Sequence, residues 1–213
     1  MALADAPFGL RPHNLIGNSP NSNGLTRYMV QSTVTAGSSS AIFQGDLVLP
    51  LENGLVGVED GAGTETNLTI GVMAGCEYIN NNGEPVFDNN YPGAASVKDN
   101  TYAYIFVYDN PMQIFEIQGD GPASGGTSRA NLEGMIHGNA QGTGFGSQTG
   151  STGISTGELD ASTGDDTTAT DIFQVVGIKN LENLTDAEIT TGTGIIYLVR
   201  INTHRYLSQG AGL

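Results

Sequence analysis

The sequence is poor in positive charge. Lysine and arginine number 7 against 22 aspartates and glutamates, so the 213-residue chain has a formal net charge of −15. Proteins that bind DNA or RNA directly use clustered basic side chains to neutralise phosphates, and anionic membrane surfaces attract the same side chains. We therefore expect neither a nucleic acid nor a membrane among the partners of this chain.

Cysteine and long apolar runs are also scarce. Cys76 is the only cysteine, which excludes a disulfide within the chain, and we expect assembly in a reducing compartment. Within its apolar strand, Cys76 is expected to be a small buried side chain rather than a nucleophile. No segment approaches the roughly 20 apolar residues of a membrane-spanning helix.

Motifs for catalysis and metal binding are missing. His13, His137 and His204 lie far apart in the sequence, without the spacing of paired metal ligands. The glycine-rich stretch 142–146 has neither the preceding apolar strand nor the following helix of a dinucleotide-binding loop. A phosphate-binding loop with its lysine is absent as well. We therefore expect a protein that is not an enzyme and that needs no cofactor and no metal.

One acidic cluster leaves an alternative open. Asp160, Asp165, Asp166 and Asp171 lie close together with serine and threonine between them. Oxygen ligands suit calcium, but the spacing fits no EF-hand loop. A solvated acidic loop is the favoured interpretation, and a calcium site is the alternative.

The abundant residues favour strands joined by turns. Glycine contributes 31 residues, mostly beside serine, threonine and asparagine, which are turn formers. Tight hairpins are predicted at Asn53-Gly54 and Asn82-Gly83, because Asn-Gly supplies the positive φ angles such turns need. The alternating runs predict roughly eight to ten strands and at most two short helices. The expected fold is a single mainly β domain, either a β-sandwich or a barrel-like domain such as a jelly roll.

Residues 101–108 are the strongest predicted strand. Both of its faces are apolar, so we expect a central strand rather than an edge. The aromatic face is expected to lie in the core or at a subunit interface, and a sugar-binding surface is the alternative. The side chains of that face are Tyr102, Tyr104, Phe106 and Tyr108.

Residues 1–24 are predicted to form an extended N-terminal arm. Pro7, Pro12 and Pro20 exclude a helix interior or a central strand, yet the arm carries several large apolar side chains. The arm either lies on its own domain or docks on a neighbouring subunit. The candidate contact residues for a capsid or a second subunit are Phe8, Leu10, Arg11, Leu15, Ile16, Tyr102 and Tyr104.

The remaining residues, 25–213, are assigned to the β-rich domain. Within it, residues 119–170 are rich in Gly, Ser and Thr and are predicted to form a long loop or insertion, ordered by a neighbour or protruding. A short helix is expected within 128–137, and a second one follows the capping-box pattern at 185–188.

Several segments together resemble the head-decoration, or cement, proteins of tailed bacteriophages, of a type found in marine podovirus-like genomes. A shorter likeness joins Gly45–Pro50 and the later Ile70-Gly71-Val72 to the smaller lambda-type decoration fold. The segments that carry the first resemblance are Ala6–Pro12, Thr69–Tyr78, Tyr91–Gly93, Phe115–Gln118 and Leu159–Ser162.

The resemblance implies a non-enzymatic virion structural protein on the outer capsid surface, assembled in the host cytoplasm. Its partner would be the major capsid protein, and it would reinforce the shell by bridging capsid subunits, as a trimer or dimer on a symmetry axis. No catalytic residues come with this family. The alternatives are a carbohydrate-binding or adhesin-like β module on a virion fibre, or another structural part of the virion.

Overall fold

The protein is mainly β, as the sequence predicts, and its paired strands run antiparallel. The computed structural model describes residues 3–16, 24–61, 68–164 and 169–207. The strands of these residues are β1 (Arg11–Leu15), β2 (Thr26–Gln31), β3 (Ile42–Phe43), β4 (Leu47–Pro50), β5 (Val56–Glu59), β6 (Gly71–Ile79), β7 (Pro85–Asp88), β8 (Asn90–Tyr91), β9 (Ala103–Tyr108), β10 (Gln113–Gln118), β11 (Asn139–Ala140), β12 (Gly142–Thr143), β13 (Glu158–Leu159), β14 (Phe173–Ile178) and β15 (Ile196–Ile201). The helices are α1 (Arg129–Gly134) and α2 (Asp186–Thr191), with three-residue 3₁₀ turns at Ala94–Ser96, Ala161–Thr163 and Leu181–Asn183.

Two larger sheets organise the chain. The hairpin sheet has the order β2-β9-β6-β4-β5, with β7 paired to the far end of β6. The terminal sheet has the order β1-β10-β15-β14-β11 and so joins both ends of the chain. Strands β2 and β5 at the two ends of the hairpin sheet contact each other, but no pairing among the described residues closes the sheet into a barrel. A sandwich-like arrangement is the result.

The hairpin sheet follows the local predictions. β4 and β5 pair across the turn at Asn53-Gly54, and β6 and β7 pair across Asn82-Gly83. β9 lies between β2 and β6, which confirms its prediction as a central strand. One face of this sheet covers the hairpin core, which comprises Val30, Ile42, Val48, Val56, Ile70, Met73, Cys76, Tyr91, Val97, Ala103, Ile105 and Val107.

The second core, here called the composite core, draws on distant parts of the chain. Leu47 and Val72 belong to it although they lie on hairpin-sheet strands, because successive side chains of a strand point to opposite faces. The face of the hairpin sheet that carries Leu47 and Val72 therefore packs on the terminal sheet. The other members are Leu10, Phe115, Ile117, Ala123, Leu132, Met135, Ala140, Phe145, Leu159, Ala161, Ile172, Phe173, Val175, Ile189, Ile195, Tyr197, Val199 and Ile201.

The described part of the Gly-rich segment packs on the chain itself. Leu132, Met135 and Leu159 from this segment are fully buried in the composite core. The carboxylate of Asp46 links the segment to the hairpin sheet by accepting hydrogen bonds from Gly146 N at 3.0 Å and from Ser155 Oγ. A few buried apolar side chains and these hydrogen bonds therefore hold a segment whose composition favours a loop.

Both predicted helices form. α1 begins after Ser128, whose side chain accepts a hydrogen bond from Asn131 N. α2 begins after Thr185 with a complete capping box to Glu188 and ends at Gly192, whose φ of 70° is left-handed. Each helix contributes one buried side chain, Leu132 or Ile189, to the composite core.

Candidate contact surfaces

The N-terminal strand lies on its own chain. β1 pairs antiparallel with β10, from Arg11 opposite Glu116 to Leu15 opposite Gln113, and a bulge interrupts the pairing between Pro12 and Asn14. Of the two alternatives for residues 1–24, the described strand of this segment therefore lies on its own domain. Among the described strands, β1 is an edge strand of the terminal sheet, next to β10, and its Arg11 and His13 side chains are exposed.

The side chain of Glu116 links β1 to the rest of the terminal sheet. Its Oε1 lies 2.9 Å from His13 Nδ1 and 2.7 Å from Lys179 Nζ. Partial burial raises the pKa of Glu116, but the hydrogen bond and charge of Lys179, together with His13, outweigh it and lower the pKa overall. The carboxylate stays charged and links β1, β10 and the end of β14.

The five predicted contact residues of this segment differ in exposure. Leu10 is buried in the composite core and its N–H donates to Gly45 O at 3.0 Å, so its role is to hold the fold. Phe8 is half-buried beneath the Arg11 guanidinium, 3.9 Å from the ring centroid. Leu15 is half-buried, whereas Arg11 and Ile16 are exposed. Arg11 and Ile16 are therefore the members that can meet a partner.

A close backbone contact explains how the segment reaches the core. Gly9 has a φ of +67°, and a Cβ there would lie 2.8 Å from Gly45 O and 2.7 Å from Ser155 Cβ. The segment can approach the loop before β4 only because Gly9 has no side chain. This contact places Leu10 against the composite core and leaves Arg11 at the surface.

The predicted tyrosines lie in a different place, in what we call the tyrosine groove. One face of the hairpin sheet packs on the terminal sheet at one end. The groove, a cavity of about 550 Å³, lies at the other end of the same face. Tyr108 packs against the composite core, whereas Tyr102, six residues earlier on the same face, is 49% exposed. The groove is lined by Arg27, Thr33, Glu77, Tyr78, Ile79, Pro85, Val86, Phe87, Asn100, Thr101, Tyr102 and Tyr104.

The floor of the tyrosine groove is an ion pair set on an aromatic ring. Arg27 contacts the Glu77 carboxylate, and its guanidinium lies 3.5 Å from the centroid of the Tyr104 ring. Register explains this geometry, since Glu77 on β6 lies opposite Tyr104 on β9 and opposite Phe87 on β7. Phe87 is 74% exposed at the rim.

The predicted contact residues of the N-terminal segment and the predicted tyrosines Tyr102 and Tyr104 therefore lie in different places. Phe8, Leu10 and Arg11 line another cavity, of about 290 Å³, together with Tyr108. Tyr102 and Tyr108 are six positions apart, a distance of roughly 20 Å along a strand. Arg27, Glu77 and Phe87 are groove residues that were not predicted from the sequence. The available signal was alternation along β6 and β7, which places Glu77 and Phe87 on the aromatic face of β9 once the pairing is known.

Three buried or partly buried titratable residues have strongly shifted pKa values. Cys76 is buried, its thiol donates to Asn90 O at 3.0 Å, and burial raises the thiol pKa to about 12, as expected of a small core residue. Burial lowers the pKa of His204 to about 4, against the opposing influence of Asp109. Burial also raises the pKa of Glu158, with Asp5 and Asp120 adding to the shift, to about 7.

Two residues of the acidic cluster, Asp160 and Asp171, lie in the described part of the chain. Asp160 caps the turn Ala161–Thr163 by accepting from Ser162 N at 3.1 Å, and Asp171 is buried beside Gln141. Asp165 and Asp166 lie outside the described residues. Across the described part of the chain, no three histidine, cysteine, aspartate or glutamate side chains come together as metal ligands.

Comparison with protein-family models, with curated proteins and with solved structures found no match to this chain. In the described ranges, no helix has the length and apolar character needed to span a bilayer.

Proposed function

We propose that the chain is a non-enzymatic virion structural protein that binds the outer surface of an icosahedral phage capsid and reinforces it by bridging capsid subunits. The observation that carries the proposal is the position of β1 at an edge of the terminal sheet, with Arg11 and Ile16 exposed beside it. β1 begins within Ala6–Pro12, one of the segments that resemble decoration proteins. Two other such segments, Phe115–Gln118 and Leu159–Ser162, contribute to the same sheet or its core.

The edge strand β1 offers two ways of binding. An edge strand can pair with a strand of another protein, which supplies main-chain hydrogen bonds without a matched pocket. Exposed Arg11 supplies a side chain that is enriched in interfaces. Ile16 and Met112, 39% and 42% exposed, lie together because Ile16 N donates to Met112 O at 2.9 Å, and they add apolar surface.

Reinforcement follows from symmetry and linkage. A stable contact between proteins buries about 1,000 Å² or more, and an icosahedral shell repeats each contact many times. A protein that binds the closed shell better than the opened one raises the free energy of opening. The partner is the major capsid protein, contacted by a trimer or dimer of this chain.

Binding of the purified protein to undecorated capsids tests the proposal. Deleting residues 1–24 is unsuitable because Leu10 belongs to the composite core, so point changes at the surface are needed. Arg11→Glu combined with Ile16→Asp is expected to weaken binding about tenfold or more, since it removes two central contacts. Val34→Asp is the matched control, because Val34 is 92% exposed and lies in the loop after β2. Equal binding by both variants would contradict the proposal.

A further inference from the structure

The tyrosine groove has exposed rings that nothing in the described chain covers. Phe87 is 74% exposed and Tyr102 is 49% exposed. The Tyr102 and Tyr104 rings lie 6.0 Å apart between centroids, with planes inclined by only 21°. Such rings present flat apolar faces whose burial is favourable when a ligand with a flat apolar face is available.

Polar groups stand beside these faces. The Arg27 side chain remains about half exposed while it pairs with Glu77, so some of its N–H groups are free to donate to a ligand. Thr101 Oγ1 donates to Lys98 O at 2.6 Å, which leaves its lone pairs available as acceptors. Asn100 adds an amide, which both donates and accepts. A ligand rich in hydroxyl groups would satisfy donors and acceptors of this kind at the same time.

The charge of the groove and of the chain disfavours anionic ligands. Among the residues that line the groove, Arg27 and Glu77 are the charged ones, and they neutralise each other. The chain as a whole carries −15, so an anionic ligand is repelled at long range. A neutral ligand fits these conditions better than an anionic one.

The walls of the groove are fixed before any ligand arrives. Buried Gln31 donates through Nε2 to Lys98 O at 3.1 Å and to Thr101 O at 3.3 Å, which holds the loop that ends at Tyr102. On the other wall, Lys98 N donates to Ile79 O at 2.9 Å and Asn81 Nδ2 donates to Ala95 O at 3.0 Å. A preformed site loses little conformational entropy on binding.

We propose that the tyrosine groove binds a neutral saccharide. The C–H face of a sugar ring would lie on Tyr102 and Phe87, and its hydroxyl groups would meet Arg27, Glu77 and Asn100. The volume of about 550 Å³ falls within the range of about 300 to 1,000 Å³ usual for small-molecule sites. The groove is concave, and a concave site suits a small ligand better than it suits a flat protein surface. The site does not depend on capsid binding and would allow a virion protein to adhere to glycans.

Saturation-transfer NMR on the isolated protein tests the proposal. The probes are neutral oligosaccharides of glucose, galactose, mannose and N-acetylglucosamine, with sialylated and uronic-acid oligosaccharides beside them. We expect transfer to at least one neutral oligosaccharide and none to the acidic ones. Absence of transfer to every neutral probe, or transfer to acidic probes alone, overturns the proposal.

Variants then locate the bound sugar. Tyr102→Ala or Phe87→Ala should weaken binding about tenfold or more because each removes a stacking ring, whereas Tyr102→Phe should stay within about threefold of wild type. Tyr206→Ala is the matched control, since Tyr206 is 57% exposed and lies outside the groove. An equal loss in Tyr206→Ala overturns the assignment. Sedimentation that shows a dimer lost in Phe87→Ala, without sugar binding, would assign the groove to a second copy instead.

Discussion

The hairpin core and the composite core are built from chain segments of very different separation. Strands of the hairpin sheet come from residues 26–108, and tight turns join β4 to β5 and β6 to β7. The terminal sheet instead pairs Arg11 with Glu116, and it pairs β10 with β15, about eighty residues later in the sequence. Contacts of long sequence separation slow folding, so the composite core should form later than the hairpins.

The two cores differ in how far their stability depends on the ends of the chain. The hairpin core needs neither end, whereas the composite core needs Leu10 from the first strand region and Ile201 from the last. Leu47 and Val72 join the two cores through the hairpin sheet. The cores should therefore unfold together, although they are assembled from different kinds of contact.

The largest effect is expected from Phe173→Ala in the composite core. Phe173 is fully buried, and removal of such a ring costs about 3 to 5 kcal/mol of unfolding free energy. Ile105→Ala, at a fully buried site of the hairpin core, is the matched change, with an expected loss of about 2 to 5 kcal/mol. Urea unfolding followed by circular dichroism should give one transition for each variant.

Cys76 reports on the hairpin core during the same experiment. Its thiol is buried and has a pKa raised by burial to about 12, so a thiol reagent should react only after this core opens. In Phe173→Ala, Cys76 should become reactive at the same urea concentration at which the secondary structure is lost. Reactivity that remains at the wild-type midpoint would show that the two cores unfold separately.

A smaller loss is expected when the link between the Gly-rich segment and the hairpin sheet is cut. Asp46→Ala leaves the buried donors of Phe43 and Ser155 and the half-buried donor of Gly146 without their acceptor, which costs roughly 2 to 4 kcal/mol. Asp46→Asn keeps a side-chain oxygen acceptor and should lose less. Hydrogen exchange should show the amide of Gly146 losing protection before the amides of β9 do. Equal loss of protection in both places would mean that Asp46 supports the whole fold and not this link.

A pH-dependent effect is expected at the composite core from Glu158. Burial, with Asp5 and Asp120, raises its pKa from 4.5 to about 7, so the folded state favours the protonated form. The stabilisation is complete below pH 4.5 and is lost as the pH rises through 7. Glu158→Gln should therefore raise the melting temperature relative to wild type by more at pH 8 than at pH 5. An equal difference at both values would exclude Glu158 as the titrating group.

The smallest effect is expected at the surface of the terminal sheet. Lys179 is 44% exposed and pairs with Glu116, and exposed ion pairs contribute about 0 to 1 kcal/mol. Lys179→Ala should change the free energy of unfolding by less than about 1 kcal/mol, and less again in high salt. A loss as large as that of Asp46→Ala would mean that this edge supports the composite core more strongly than its exposure indicates.

The hairpin sheet could be predicted from the sequence, whereas much of the composite core could not, and the reason is physical. Alternation and Asn-Gly turns act over a few residues, and they located β4 to β7 and the central position of β9. The pairing of β1 with β10, and the burial of Leu132 and Leu159 in a glycine-rich segment, depend on contacts between distant residues. No local pattern encodes such contacts. The tyrosine groove could not be predicted for the same reason, because Glu77 and Phe87 lie beside the tyrosines only when the strands are paired.

Imaging of purified particles tests the central proposal most directly. The proposal predicts that cryo-electron microscopy of virions carrying this chain shows copies of its two sheets at symmetry-related positions on the outer shell, with β1 against the major capsid protein. Shells with no such density, or density confined to tails or fibres, would contradict the assignment as a capsid-reinforcing protein.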